Sequence, residues 1–257
     1  MLSIAVPAGL LVGVLLGALG GGGSILTVPV LVYLLGQEAH AATTGALLIV
    51  GITAAAGMIA HWRAGRVRLA PGIAFGVLGA AGSYAGTRLS SGVPPGLLLS
   101  LFAGLLLAAA VAMLRRRPGT ARRRERAGGS TIGRRILKIT AAATGVGLLT
   151  GFFGVGGGFV IVPALVLVLG FGMPAAVGTS LLVIAINSAA ALAARLCGQV
   201  SLDWALLAVF TAAALAGVLA GHRVASRVDP SRLTTGFTVL LIAVAGYSLA
   251  RSLPGLV

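Results

Sequence analysis

Residues Gly147–Leu165 read GLLTGFFGVGGGFVIVPAL, and residues Gly13–Leu31 read GVLLGALGGGGSILTVPVL. The two stretches carry glycines and one proline in the same register, 134 positions apart. The paired residues are Gly13, Gly17, Gly20, Gly22, Gly23 and Pro29, which align with Gly147, Gly151, Gly154, Gly156, Gly157 and Pro163. Further downstream, Pro95 lies opposite Pro230 and Phe102 opposite Phe237. Matches spread along both halves predict an internal repeat.

The repeat divides the chain into residues 1–114 and residues 136–257, joined by residues 115–135. Ten of the 19 Lys and Arg residues lie between Arg115 and Lys138. A run such as RRRPGTARRRERAGG has too few apolar side chains to pack, so it predicts a solvated basic linker between two membrane repeats.

The composition points to a lipid environment. The 257 residues are 58% hydrophobic and only 9% charged, whereas a soluble domain has about 25% charged residues. The net charge of +15 does not indicate a nucleic-acid partner, because the basic residues cluster in the linker and at the ends of apolar runs. That distribution is typical of the cytoplasmic loops of membrane proteins.

Each half begins with an apolar, glycine-rich segment, Leu2–Gly36 or Ile136–Gly170, which would reach about 50 Å as one helix and is too long for a single crossing. Glycine runs disfavour continuous helix, so both segments are predicted to break into a hairpin. Three apolar runs long enough to span follow in each half. These runs are Thr43–His61, Leu69–Leu89 and Gly96–Leu114, then Val177–Cys197, Trp204–Val224 and Ser231–Arg251. The predicted fold is an all-α, polytopic transmembrane helix bundle.

Equivalent loops of the two halves carry opposite charge biases. Three arginines lie near residues 61–68 and one near residues 88–95, but one lies near residues 194–203 and three near residues 222–232. Because basic loops face the cytoplasm, this swap predicts inverted-topology repeats. The linker would be cytoplasmic, and both termini would lie outside, in a bacterial plasma (inner) membrane.

The pattern GxxxGxxGxGGGxxxVPxL in Gly147–Leu165 and its variant in Gly13–Leu31 are similar to the sulfite exporter TauE/SafE family. The segments Gly178-Thr179-Ser180 and Gly198-Gln199-Val200 also resemble that family. The first half departs from it, with Ser24 opposite Gly158 and Thr44-Gly45-Ala46 opposite residues 178–180. The resemblance implies a membrane permease for sulfite, sulfoacetate or another organosulfur anion.

The residues themselves also favour an anion. Glycine turns expose backbone N–H groups, and the helix that follows carries about +0.5 charge at its N-terminus. In inverted repeats such breaks meet near the membrane midplane. Alternatives remain open: the glycines could serve close helix packing, and Asn187, opposite Thr53, could bond a neighbouring helix. The candidate substrate-binding residues are Gly20, Gly21, Gly22, Gly23, Ser24, Thr43, Thr44, Gly154, Gly156, Gly157, Gly158, Thr179, Ser180 and Asn187.

Acidic residues are scarce, and none lies in the middle of an apolar run. The four are Glu38, Glu125, Asp203 and Asp229. No membrane carboxylate is therefore available for ion coupling. His61 and His222 stand at helix ends beside arginines and are expected at the membrane interface. The chain has no HExxH, Walker or Cys-His pattern, so we expect no enzyme activity, catalytic residue, metal or cofactor.

Two other functions remain open beside a carrier that works by alternating access. One is a passive channel for an anion or small solute, and the other is a membrane assembly protein without transport. Counterflow of labelled substrate separates a carrier from a channel. The sequence leaves open the substrate, the direction of transport, the coupling ion and the oligomeric state.

Overall fold

The structure is a computed structural model that describes residues 2–90, 95–115, 132–153, 158–195 and 203–252. These residues form ten helices, and they include no strand. The first half contains α1 (Leu2–Leu19), α2 (Gly22–Pro29, continued by a π-helical turn over Val30–Leu34), α3 (Ala39–Arg63), α4 (Leu69–Ser90) and α5 (Pro95–Arg115). The second half contains α6 (Ile132–Phe153), α7 (Gly158–Leu167), α8 (Met173–Arg195), α9 (Trp204–Arg227) and α10 (Pro230–Ser252).

The predicted helix bundle is confirmed. Within the described residues, five stretches are long and apolar enough to cross a membrane: Ala41–Arg63, Leu69–Gly86, Met173–Ala193, Trp204–Arg227 and Pro230–Leu249. Four of these stretches, all but Met173–Ala193, expose large apolar side chains, as expected of helices that face lipid rather than water. One boundary differs from expectation, because α6 already begins at Ile132, inside the stretch assigned to the linker. Residues 116–131 lie outside the described part.

The break expected in the first segment lies between α1 and α2. Gly20 has a φ of +71°, a left-handed conformation that side-chain-bearing residues rarely adopt. Its N–H donates to the Leu16 carbonyl over 2.9 Å and closes α1. The equivalent break at residues 154–157 lies outside the described residues.

Two pairs of helices approach closely along glycine faces. On α1, Gly13 meets the backbone of Ala214, and a Cβ built at Gly17 would lie 2.9 Å from Val218 Cα. The α4–α6 pair packs in the same way, since a Cβ built at Gly82 would lie 2.7 Å from the Thr144 carbonyl oxygen. These spaced glycines serve close packing, the alternative that the sequence left open for them.

The helix contacts repeat across the two halves. In the 134-residue register, α1 corresponds to α6 and α9 to α4, so the pairs α1–α9 and α4–α6 are equivalent. The corresponding helices α3 and α8 pack against each other in opposite directions. A Cβ at Gly51 would lie 3.2 Å from Ser188 Cβ, and one at Gly178 would lie 3.1 Å from His61 Cβ. Earlier residues of α3 thus meet later residues of α8.

The short helix α7 lies at the centre of the core. Every residue from Gly158 to Val166 is buried, as expected of a helix that is apolar on all sides. The Phe159 ring packs edge-to-face on Phe102 of α5, with ring centroids 5.0 Å apart. The core therefore holds in place the region where α7 begins.

Candidate functional site

The starts of α2 and α7 touch each other. A Cβ built at Gly21 would overlap the Gly158 backbone, and one built at Gly158 would lie 3.0 Å from both Cα and the carbonyl oxygen of Gly21. The Ser24 hydroxyl meets Gly158 at the same place. Because Ser24 and Gly158 are equivalent positions, this contact lies where the two halves cross. All three residues are buried.

The turn at Gly20 rests on α8. A Cβ at Gly20 would overlap the Ser180 hydroxyl and would lie 3.3 Å from both Val162 Cγ2 and Val177 Cα. The structure thus brings Gly20, Gly21 and Ser24 together with Gly158 and Ser180. Five of the predicted site residues therefore form one contiguous buried group, which we call the break junction.

Gly22 and Gly23 lie between Gly21 and Ser24 in the chain, but they contact other helices. A Cβ at Gly22 would lie 2.5 Å from Leu240 Cδ2, on α10. A Cβ at Gly23 would lie 2.6 Å from the Leu16 nitrogen and the Val12 carbonyl oxygen of α1. Gly23 is therefore needed to fold α2 back against α1. The predicted residues Gly154, Gly156 and Gly157 lie outside the described part of the chain.

The two serine hydroxyls of the break junction bond to nearby carbonyls. Ser24 Oγ donates to the Gly21 carbonyl over 2.7 Å, and Ser180 Oγ donates to the Val177 carbonyl over 2.8 Å. Their oxygens keep lone pairs, but their protons are already donated. A bound anion would have to turn these hydroxyls towards itself or rely on backbone N–H groups.

The predicted threonines do not join the break junction. Thr179 is buried, and its Oγ1 accepts a hydrogen bond from the Arg68 backbone N–H over 3.1 Å, so it holds the loop between α3 and α4. Thr43 and Thr44 lie near the start of α3. Because α3 and α8 are antiparallel, these two lie at the far end of the helix pair from Thr179.

Asn187 lies on α8 beside α4. Its Nδ2 would lie 3.9 Å from a Cβ at Gly79. Its Oδ1 is buried and has no hydrogen-bond partner among the described residues. The equivalent Thr53 is satisfied locally, since its Oγ1 donates to the Ile49 carbonyl over 2.6 Å. Asn187 thus keeps an unused acceptor inside the bundle.

A basic cluster was not anticipated as part of a site. His61 is fully buried between helices, and its Nε2 lies 3.0 Å from the Gly17 carbonyl oxygen, to which it donates. The His222 ring packs edge-to-face on it, with centroids 4.5 Å apart, and Arg66 interacts electrostatically with both rings. The charge-swapped loops contained a signal for this cluster, because the swap predicts that residues 61–68 and residues 222–232 lie at the same end of the bundle.

The sulfite exporter TauE/SafE family model matches residues 5–248, almost the whole chain. The chain belongs to the sulfite exporter TauE/SafE family. A "Probable membrane transporter protein" from Xylella fastidiosa strain Temecula1 is 35% identical over 260 residues, covering 100% of this chain and 98% of that protein. The counterpart from strain 9a5c is also 35% identical over the same coverage. The "Probable membrane transporter protein YdhB" of Bacillus subtilis is 30% identical over 174 residues, which is 68% of this chain and 70% of that protein. No solved structure matches.

This TauE/SafE family protein is therefore a multi-pass membrane transporter, and it is a permease and not an enzyme. Its partners are a small-molecule substrate and the surrounding lipid. The family membership confirms the resemblance inferred from the glycine motifs.

Proposed function

We propose that this TauE/SafE protein carries a small anion, sulfite or a related sulfur oxyanion or organosulfonate, across a bacterial inner membrane by alternating access at the break junction. The observation that carries the proposal is the contact between Gly21 and Gly158, where α2 and α7 both begin. Each helix N-terminus carries about +0.5 charge. Two such ends buried together attract an anion and disfavour a cation.

The neutral donors around the break junction suit a carrier that must release its substrate. The backbone N–H groups of the two glycine turns would bind the anion, with help from Ser24 and Ser180. Asn187, Thr43, Thr44 and Thr179 would contribute only after a rearrangement of the helices. The three acidic residues in the described part, Glu38, Asp203 and Asp229, all lie at or outside helix ends, so none would repel the anion at the junction.

The same proposal includes inverted membrane repeats over residues 1–114 and 136–257. The antiparallel packing of α3 and α8 supports this topology, because equivalent helices of inverted repeats run in opposite directions. With the basic loops inside, the linker over residues 115–135 would be cytoplasmic, and both termini would lie outside.

The first test is a thermal-shift screen of the purified protein with sulfite, sulfate, thiosulfate, sulfoacetate and taurine at constant ionic strength. We expect at least one sulfur anion to raise the melting temperature, because a ligand that binds only the folded state stabilises it. The shift given by the transported anion should become smaller in Gly21→Ala. It should remain in Gly145→Ala, where a Cβ meets nothing within 4 Å.

The second test is counterflow in proteoliposomes with the anion found by the screen. A carrier accelerates exchange of labelled anion when unlabelled anion is trapped inside. Conductance without counterflow would favour a passive channel, and the absence of both would favour an assembly protein. Either of these results would contradict the carrier mechanism.

A further inference from the structure

A cluster of unpaired polar atoms lies apart from the break junction, at the end of the bundle where α3 and α9 finish. His61 Nδ1, His222 Nδ1 and Arg66 Nη1 are all buried and have no hydrogen-bond partner among the described residues. We propose that His61, Arg66 and His222 form a second binding site for a small oxyanion, which is taken up there together with one proton. We call these three residues the basic cluster.

The missing partner of the basic cluster is an anion. Buried polar groups are nearly always hydrogen-bonded, so three unpaired nitrogens in one place indicate an absent ligand. The groups that face His61 electrostatically are His222 and Arg66, and those that face His222 include Arg66 and Arg223. All of these neighbours are basic. A carboxylate, which would normally pair with Arg66, is not among them.

The tautomer of His61 explains why a proton accompanies the anion. The Gly17 carbonyl can only accept, so Nε2 must carry the hydrogen across the 3.0 Å bond between them. In the neutral ring, Nδ1 then has only a lone pair. An oxyanion oxygen also has only lone pairs, so the two atoms can form a hydrogen bond only if one proton lies between them. That proton can be carried by the ligand or by the imidazole, and in either case it binds with the anion.

The basic cluster adjoins the break junction through the start of α8. A Cβ at Gly178 would lie 2.8 Å from the Arg66 carbonyl oxygen, and Thr179 accepts from the Arg68 N–H. The next residue, Ser180, meets Gly20. An anion held at the basic cluster would therefore lie beside the break, on the side from which the basic loops extend. This inference rests on the proposed function for the class of anion, but the site can be tested without transport.

The test uses the full-length protein in nanodiscs, isotope-labelled at histidine. The chain contains three histidines, and His40, near the start of α3, serves as the internal reference. The probe is sulfate, which carries no proton near neutral pH, with chloride balancing the ionic strength. We expect sulfate to shift the His61 and His222 signals but not the His40 signal. A pH-indicator dye in weak buffer should report uptake of about one proton for each sulfate bound.

Variants identify the groups responsible. Arg66→Gln should weaken sulfate binding about tenfold or more, because it removes a charge-assisted hydrogen bond. His222→Gln should abolish the sulfate-dependent shift of the His61 signal. Arg63→Gln is the matched control, since Arg63 is exposed at the end of α3, three residues before Arg66; it should leave the sulfate affinity unchanged. His61 is not substituted, because its bond to Gly17 also holds α1 and α3 together.

The proposal would be overturned if sulfate left the His61 and His222 signals in place, if Arg66→Gln bound sulfate as tightly as Arg63→Gln, or if no proton were taken up. Failure of the proposed function looks different. In that case counterflow is absent while the sulfate-dependent histidine shifts remain. Gly21→Ala separates the two sites, because it should lose transport and still show the histidine shifts.

Discussion

Substitution of Gly20 by alanine tests whether the turn at the break is held by backbone conformation or by contact with α8. Gly20 and Gly65 have nearly the same φ, +71° and +69°, so alanine at either position costs about 1–2 kcal/mol for the left-handed backbone. They differ in their surroundings. A Cβ at Gly65 meets nothing within 4 Å, whereas one at Gly20 overlaps the Ser180 hydroxyl.

The contact adds a second cost at Gly20 alone. Overpacking a buried site typically costs about 1–3 kcal/mol, so Gly20→Ala should destabilise the protein by about 2–5 kcal/mol and Gly65→Ala by about 1–2 kcal/mol. Gly20→Ala should also abolish transport, because the turn must move away from Ser180. The measurements are reversible unfolding in mild detergent, followed by the fluorescence of Trp62 and Trp204, and counterflow in proteoliposomes.

A double variant isolates the contact. Ser180→Ala removes the overlapping oxygen, so Gly20→Ala combined with Ser180→Ala should be more stable than the sum of the two single effects predicts. We expect a favourable coupling of about 0.5–3 kcal/mol, the range found for residues in contact. Equal losses of stability in Gly20→Ala and Gly65→Ala, with additive double-variant energies, would refute the proposed packing at the turn.

Three further predictions concern topology and the site. In a Cys197→Ser background, a cysteine at Gly128 should resist an impermeant thiol reagent in intact cells while cysteines at both termini react; opposite labelling of the termini would rule out inverted repeats. Asn187→Leu should weaken anion binding, measured by isothermal titration, by about tenfold or more if the amide donates a hydrogen bond to the anion, and Arg195→Gln should change the affinity far less. A larger loss of affinity in Arg195→Gln than in Asn187→Leu would show that a cation holds the substrate. Gly22→Val, which presses on Leu240, should abolish transport with near-normal membrane insertion, and normal uptake by this variant would exclude the break as the site.

Much of the fold could be predicted because lipid imposes simple constraints on sequence. Five of the six predicted apolar runs coincide with stretches long enough to span, and α3 contains the whole predicted span Thr43–His61. The glycine run gave the break at Gly20. The start of α6 was less predictable, because Ile132-Gly-Arg-Arg contains no proline, its single glycine is not enough to stop a helix, and basic side chains are tolerated where a helix leaves the bilayer.

The candidate site was predicted less completely, because residue type does not determine where a side chain faces. Thr179 and Ser180 are adjacent, yet successive residues of a helix face different directions, so one bonds the Arg68 loop and the other meets Gly20. The basic cluster was missed because a histidine at the end of an apolar run resembles an interfacial residue. Only the packing of α1 against α3 shows that His61 is buried.

The pairing of α1 with α9 has a consequence for how the protein is made. Gly13 meets Ala214, so two surfaces that fit against each other are about two hundred residues apart in the chain. At a synthesis rate of about 5–20 residues per second, the first helix would wait about 10–40 s for its partner. During that time its glycine face must be covered by lipid, by the insertion machinery or by a passing helix. Quality control in the membrane therefore has an interval in which every copy of this protein is incomplete.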